Sequence, residues 1–425
     1  MTGTSPRGGL TALFAGRAGR RVSAVCAALG AFAVVSSGLA PSAVAADIQS
    51  KQWYLDAMDA EGMWKVSTGK GVKVAVLDTG VNPDTSSLKG QVLEGEVSQA
   101  VSYNATKDYD GHGTSMAELI AGTGAGGGLQ GLAPGAKIVP YRVLTKGVTN
   151  STDKKNTPSI ADAIKAAADS DAQILSMSFG GDIMNPDEEA AVKYAQSKGK
   201  LMFAGTGNDA ESKNFIGYPA AYPYVVGVAA ADDKGKVGDF SEHGNYVDLA
   251  APGLKVPTWC DATFRAYCPD GVGTSMATAI TSASAALIWS AHPNWTANQV
   301  LTTLIDTASR DWPKDQPSNY LGYGLVRPLR VLENSSINPG PANADPLGYE
   351  NGTGLTGASS PPSPSASVTG SPQAPKNTSG GATSAAGSSS NSSDNNTQLY
   401  AIVGAALVVA IGGGAFAVAR KRRAT

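Results

Sequence analysis

The chain has 425 residues, 42% hydrophobic and only 16% charged, which suits one large packed domain with appendages. Bases and acids nearly balance, 33 against 35, yet residues 1–46 and 420–425 hold eight bases and no acid. Residues 47–419 therefore carry 25 bases against 35 acids, a net charge of −10. That balance excludes nucleic acid as a partner, since phosphate binding needs a basic surface, and three Cys with three His exclude a multi-cysteine zinc scaffold.

The first 46 residues read as a secretory signal. A basic stretch ends at Arg21, an apolar run follows from Val22 to Ala40, and small residues Ala43 to Ala46 fit a cleavage site. Arg20-Arg21 also admits a twin-arginine reading, and an uncleaved anchor fits the same run. All three place the rest of the chain outside the cytoplasm. Residues 47–71 form a short extension.

The folded region is read as 72–335. Val72 to Leu77 is a short, β-branched apolar run, as expected of a strand buried on both faces. Helical stretches at 112–121 and 159–169 alternate with strands at 137–141, 173–177, 201–204 and 224–229. A long Ala-rich helix is expected over 275–291. Another is expected over 296–307, capped by Thr296 with Gln299 three positions on. This alternation predicts an α/β fold with a mostly parallel sheet, whose ligands bind at the carboxyl ends of the strands. Cys260 and Cys268, the two cysteines left after signal removal, read as one local disulfide in an oxidising compartment.

Beyond this region the composition changes. Residues 336–398 are dominated by Ser, Gly, Pro, Thr, Ala and Asn, too poor in apolar surface to offset chain entropy, and predict a disordered stalk. Leu399 to Ala419 is 21 residues without a charge, long enough to span a bilayer. Arg420-Lys421-Arg422-Arg423 follows, which predicts a cytoplasmic tail at 420–425 and an extracellular domain on a single span. A removable sorting tail is the competing reading.

Three segments carry chemistry. Asp78-Thr79-Gly80 closes the first strand, so its carboxylate is held rigidly. His112 is flanked by Gly111 and Gly113 and opens a helix. Ser275 follows Gly273-Thr274 at the start of the Ala-rich helix, whose first amides favour developing negative charge. Separately, these read equally as a turn Asp, a satisfied His and an ordinary N-cap. Together they are the parts of an activated hydroxyl nucleophile: Ser attacks, His carries the proton, and Asp orients the His.

The order Asp78, His112, Ser275 and the surrounding motifs resemble the subtilisin-like serine proteases. The resemblance spans roughly 53–332 and includes Ser178-Phe179-Gly180-Gly181, Gly205-Thr206-Gly207-Asn208 and Ala250-Ala251-Pro252-Gly253. It implies a three-layer fold with a mostly parallel central sheet and helices on both faces. It implies Asp78, His112 and Ser275 as the triad, and Asn208 with the Ser275 amide as the oxyanion hole. Ser178, Phe179 and Gly180 become the edge that pairs with an extended substrate. The pattern departs at Ala279, where the family usually has Pro, and at Asp209-Ala210 after Asn208. No cofactor is implied. The Gly-rich stretch 122–131 is too poor in carboxylates for a calcium loop, so no metal is expected. Residues 47–71 leave no room for the inhibitory prodomain of many secreted relatives. Signal, short extension, protease domain, stalk and span together look like the mycosins, membrane-anchored proteases of type VII secretion. That implies protein or peptide substrates and a secretion complex as partner. A general surface protease, or a scaffold with dispensable cleavage, is the alternative.

Overall fold

The computed structural model describes residues 48–353. The expected signal segment, most of the stalk, the apolar run and the basic tail lie outside the described residues. No helix among the described residues is long and apolar enough to cross a membrane.

Six strands form one sheet: β1 (Lys73–Asp78), β2 (Lys137–Arg142), β3 (Ile174–Met177), β4 (Leu201–Gly205), β5 (Val225–Ala231) and β6 (Leu249–Pro252). Their order is β2-β1-β3-β4-β5-β6, and every pairing is parallel. Alternate residues of each strand enter opposite cores. Val74 and Val76 pack on one face with Ile138, Ile174 and Phe203. Ala75 and Leu77 pack on the other with Val139, Leu175 and Met202. Because both faces are covered, the strands read as unbroken apolar runs.

The extension before β1 forms two short helices, α1 (Trp53–Ala57) and α2 (Ala60–Trp64). After β1 come α3 (His112–Ala121), α4 (Ser151–Asn156), α5 (Ile160–Asp169) and α6 (Pro186–Ser197). α7 (Thr274–Ala291), α8 (Ala297–Thr307) and α9 (Pro328–Leu332) complete the chain order. α3, α7 and α8 cover the first face. α5 and α6 cover the second. α6 lies in a stretch for which no element was expected, although Asn185 accepts from Asp187 N, Pro186 opens it and acids fill its first turn, all start signals. α8 carries the expected capping box between Thr296 and Gln299. α7 is buried on every side. Three of its hydroxyls donate to carbonyls four residues back, Thr278 Oγ1 to Thr274 O (2.9 Å), Thr281 Oγ1 to Ala277 O (2.8 Å) and Ser284 Oγ to Ile280 O (2.8 Å), while Ser282 Oγ is buried without a partner.

An antiparallel pair, β7 (Leu254–Trp259) and β8 (Tyr267–Val272), stands apart from the sheet. The Cys260–Cys268 disulfide joins the two strands near the turn, with Cα atoms 5.0 Å apart. The extension clamps this region. Trp53 Nε1 donates to Leu254 O at 3.1 Å, and Gln49 Nε2 donates to Gly124 O (2.8 Å) and Gly128 O (2.9 Å).

The expected domain end at 335 is corrected. Residues 336–353 have the composition of the stalk, yet they pack on the domain. Leu347 is buried in the main core. Gln299 Nε2 donates to Gly340 O at 2.9 Å, Thr296 Oγ1 to Ala342 O at 2.7 Å, and Tyr224 N to Asn351 Oδ1 at 2.7 Å. Composition missed this because most of the attachment is polar.

Behind the start of α3, Glu118 is fully buried. It accepts from Thr85 Oγ1 (2.7 Å) and Tyr267 OH (2.8 Å). Burial pushes its pKa up to about 7 from an ordinary 4.5, and the hydroxyl donors only partly oppose this. The folded state thus holds a proton that the unfolded chain has already released. Stability falls as pH rises from about 4.5 to about 7 and levels off above. The shift is worth about 3 kcal/mol. Glu118→Gln should flatten this slope. Urea midpoints at pH 5 and pH 8 would show the variant regaining up to that amount on wild type at the higher pH, and parallel slopes would refute the assignment.

Candidate active site

β1 pairs with β2 on one side and β3 on the other. The chain thus winds away from β1 in both directions, and a crevice opens at the carboxyl ends of β1 and β3. Asp78 ends β1, Ser178 follows β3, and Asn208 lies three residues past β4. Helix starts supply the other two residues: His112 is the first residue of α3 and Ser275 the second of α7.

Asp78 is fully buried. Its Oδ1 accepts from Thr79 N and meets His112 Nδ1, both at 2.7 Å. The close approach depends on Gly113. A Cβ there would lie 2.2 Å from Gly80 O and 3.0 Å from Asp78 Cβ. Burial by itself lowers the imidazole pKa. The Asp78 carboxylate, by charge and hydrogen bond, and then Asp110, overcome this, so His112 titrates above the ordinary 6.5.

Asp108, which the sequence did not single out, organises this corner. Its Oδ1 accepts from Thr79 Oγ1 (2.9 Å), Asp110 N (3.0 Å) and Gly111 N (2.8 Å). Its Oδ2 accepts from Thr114 N (2.9 Å) and Thr114 Oγ1 (2.7 Å). Thr79 Oγ1 in turn accepts from Gly113 N at 2.9 Å. One buried carboxylate therefore joins the turn after β1 to the first turn of α3. The available signal was its place two residues before Asp110-Gly111-His112. The disulfide hairpin braces the same helix: Trp259 N donates to Ser115 Oγ at 2.9 Å, and a Cβ on Gly111 would lie 2.9 Å from Asp261 O.

Ser275 Oγ donates to Ser178 O at 3.0 Å, and Ser178 Oγ donates back to Ser275 O at 3.1 Å. The hydroxyl is thus satisfied by the β3 edge and not by His112. Asn208 Oδ1 accepts from Thr274 N (2.9 Å) and Thr274 Oγ1 (3.2 Å). With Oδ1 so engaged, the amide is fixed with Nδ2 directed away from Thr274. Asn208, Ser275, Phe179 and Gly180 line one cavity of about 410 Å³. Asp182, Asp209, Phe215 and Glu242 line it as well. Of these four, the sequence drew attention only to Asp209. Asp182 directly follows the Ser178–Gly181 segment, whereas Phe215 and Glu242 come from distant loops that no local motif marks.

Residues 69–324 match the family model "Subtilase family", peptidase S8. The chain belongs to the subtilase family. It is 33% identical over 262 residues to Subtilisin BL of Lederbergia lenta, covering 61% of this chain and 90% of that one. It is 32% identical over 286 residues to the minor extracellular protease Epr of Bacillus subtilis (strain 168), covering 65% of this chain. The match spans only 41% of Epr and 55% of the thermophilic serine proteinase of Bacillus sp. (strain AK1). The solved structure of MycP3 protease from the type VII (ESX-3) secretion system superposes with a TM-score of 0.54 at 28% identity, over 66% of this chain and 87% of that one. The expected mostly parallel α/β architecture and the family resemblance agree with these findings.

Asp108→Asn should disturb the site through position. It keeps one acceptor oxygen and sets an N–H₂ against donors. A buried donor left without its acceptor costs about 1–3 kcal/mol, so calorimetry should show a lowered melting temperature. Unchanged melting would show that the five bonds are dispensable.

Proposed function

We propose that the protein is a serine endopeptidase, with Ser275 as nucleophile, His112 as general base and Asp78 as the group that orients the imidazole. The Asp78–His112 bond of 2.7 Å carries this reading. A proton held on Nδ1 toward Asp78 leaves Nε2 free to accept one. The protease relatives and the family match support it.

The resting contact of Ser275 suggests how substrate primes the site. An extended chain laid along Ser178, Phe179 and Gly180 would donate a backbone N–H to Ser178 O. That carbonyl now accepts from Ser275 Oγ. Releasing the hydroxyl lets it turn to His112 Nε2. After attack, the oxyanion meets Asn208 Nδ2 and the Ser275 N–H, one of the first-turn amides of α7 without an intrahelical partner. His112 then returns the proton to the leaving amine, and water repeats the sequence on the acyl group.

The reading extends to the whole chain: an exported enzyme held by Leu399–Ala419 on the outer face of a cell membrane, mycosin-like, acting on proteins handled by a type VII secretion complex. The order of segments in the sequence supports it, as does the likeness to MycP3. The similarity to Epr, named as an extracellular protease, favours a general surface protease as the second reading.

The test is covalent labelling of the detergent-solubilised full chain with a fluorescent fluorophosphonate. Wild type should label, while Ser275→Ala and His112→Ala should not. Asp78→Asn should slow labelling by about 10⁴, the scale for a misoriented imidazole. The rate should rise with pH through a midpoint above 6.5, because imidazolium cannot accept the serine proton and His112 is shifted upward. An unlabelled, folded wild type would sink the proposal. Separately, Asn208→Ala should lower peptide turnover by about 10²–10³.

A further inference from the structure

The cavity beside Ser275 has two apolar walls and several acids. Phe179 and Phe215 face it, and so do Asp182, Asp209 and Glu242, while no Lys, Arg or His lines it. Asp182 and Asp209 are exposed. Glu242 differs, with only 4% of its surface accessible. Among the described residues no ion pair involves Glu242, Asp182 or Asp209. The nearby Lys213 lies over the Phe215 ring, 4.4 Å from its centroid. A buried carboxylate needs donors, a proton or a cation, and one without a counter-charge that also borders a cavity is placed to attract a cation.

Two glycines make room for it. A Cβ on Gly207 would lie 1.9 Å from Glu242 Oε2, and one on Gly217 would lie 3.3 Å from the same oxygen. Gly207 directly precedes Asn208. The carboxylate therefore sits one residue from the group expected to hold the oxyanion. Burial first, then the charges of Asp209 and Asp182, hold Glu242 above its ordinary value, against backbone donors at Phe215 and Asp209. A cation in the cavity would relieve both the burial and the repulsion.

We infer that this cavity receives the side chain of the residue before the scissile bond, that it selects Lys or Arg there, and that Glu242 is the specificity-determining residue. The inference rests on the serine peptidase reading and gives its substrate class. When the carbonyl of that residue lies between Ser275 and Asn208, its side chain enters the cavity they share. The methylene stem packs between Phe179 and Phe215 while the charged head reaches Glu242. Asp182 and Asp209, exposed and therefore screened, add attraction at longer range.

The experiment uses the full chain in detergent and peptidyl aminomethylcoumarins that differ only at the residue before the amide. The Lys and Arg substrates should exceed the Leu and Phe substrates in kcat/KM by at least about tenfold. Glu242→Gln should reduce the Lys-to-Leu ratio by at least about tenfold, with Asp182→Asn and Asp209→Asn reducing it less. Circular dichroism melting checks that each variant is folded. In parallel, p-aminobenzamidine fluorescence on Ser275→Ala should report binding of an arylamidine cation, weakened by adding Glu242→Gln. Faster cleavage of Leu or Phe substrates, or a ratio unchanged in Glu242→Gln, would overturn the inference. If fluorophosphonate fails to react and no peptide is cut, the peptidase reading fails. The amidine then decides the cavity alone: Glu242-dependent binding supports a cation pocket, and absence of binding overturns it.

Discussion

A carboxylate with no exposed surface must be held by donors, and Asp78 takes two on one oxygen, the Thr79 amide and the His112 ring, while Oδ2 has no hydrogen-bond partner. The rest of this end of the molecule follows from the requirement. The donor ring must come from an element that reaches the end of β1 closely, and only a glycine at 113 lets α3 do so. Asp108 then fixes that approach by tying the turn after β1 to the start of α3. Rigidity at the site is thus a matter of buried polar bonds laid on a stiff parallel sheet, where few alternative arrangements can satisfy the same groups.

The second half of the site is built on α7 and the β3 edge. α7 carries no charge and its polar groups are Ser and Thr hydroxyls, so it can sit inside the domain, which places its start against β3 and β4. Ser275 and Ser178 bind each other there, and Thr274 orients Asn208. In the proposed chemistry the same carbonyl serves first the resting hydroxyl and then the substrate backbone, so binding and activation share one group. The disulfide hairpin braces α3 from outside through Trp259 and the Glu118–Tyr267 bond, and the extension before β1 holds that hairpin through Trp53.

A few carboxylates of this protein lie where charge costs most. Asp78, Asp108, Glu118 and Glu242 are all buried, yet each has a different partner. Asp78 has an imidazole, Asp108 has amides and hydroxyls, and Glu118 has two hydroxyls and an upward shift. Glu242 alone faces an open cavity. A net negative domain with one such carboxylate beside the nucleophile is arranged to attract cationic side chains, and the overall charge seen in the sequence acts in the same direction.

The sequence by itself marked five of the six sheet strands, because a strand buried on both faces must be an apolar run, and 72–77, 137–141, 173–177, 201–204 and 224–229 read that way, whereas the four-residue β6 (Leu249–Pro252) carried no such signal. It also determined the candidate residues carried by local signals: Asp78 at a strand end, His112 between glycines, Ser275 at a helix start. The tertiary structure decided what local pattern does not encode. It brought Glu242 and Phe215 from separate loops to the cavity beside Ser178–Asp182. It turned Ser275 toward Ser178, and it made Asp108 the hub of five bonds. It also held 336–353 on the domain through polar contacts. Apolar periodicity marks burial one element at a time, whereas a pocket and its hydrogen bonds are properties of several elements packed together, and only the folded chain sets their distances.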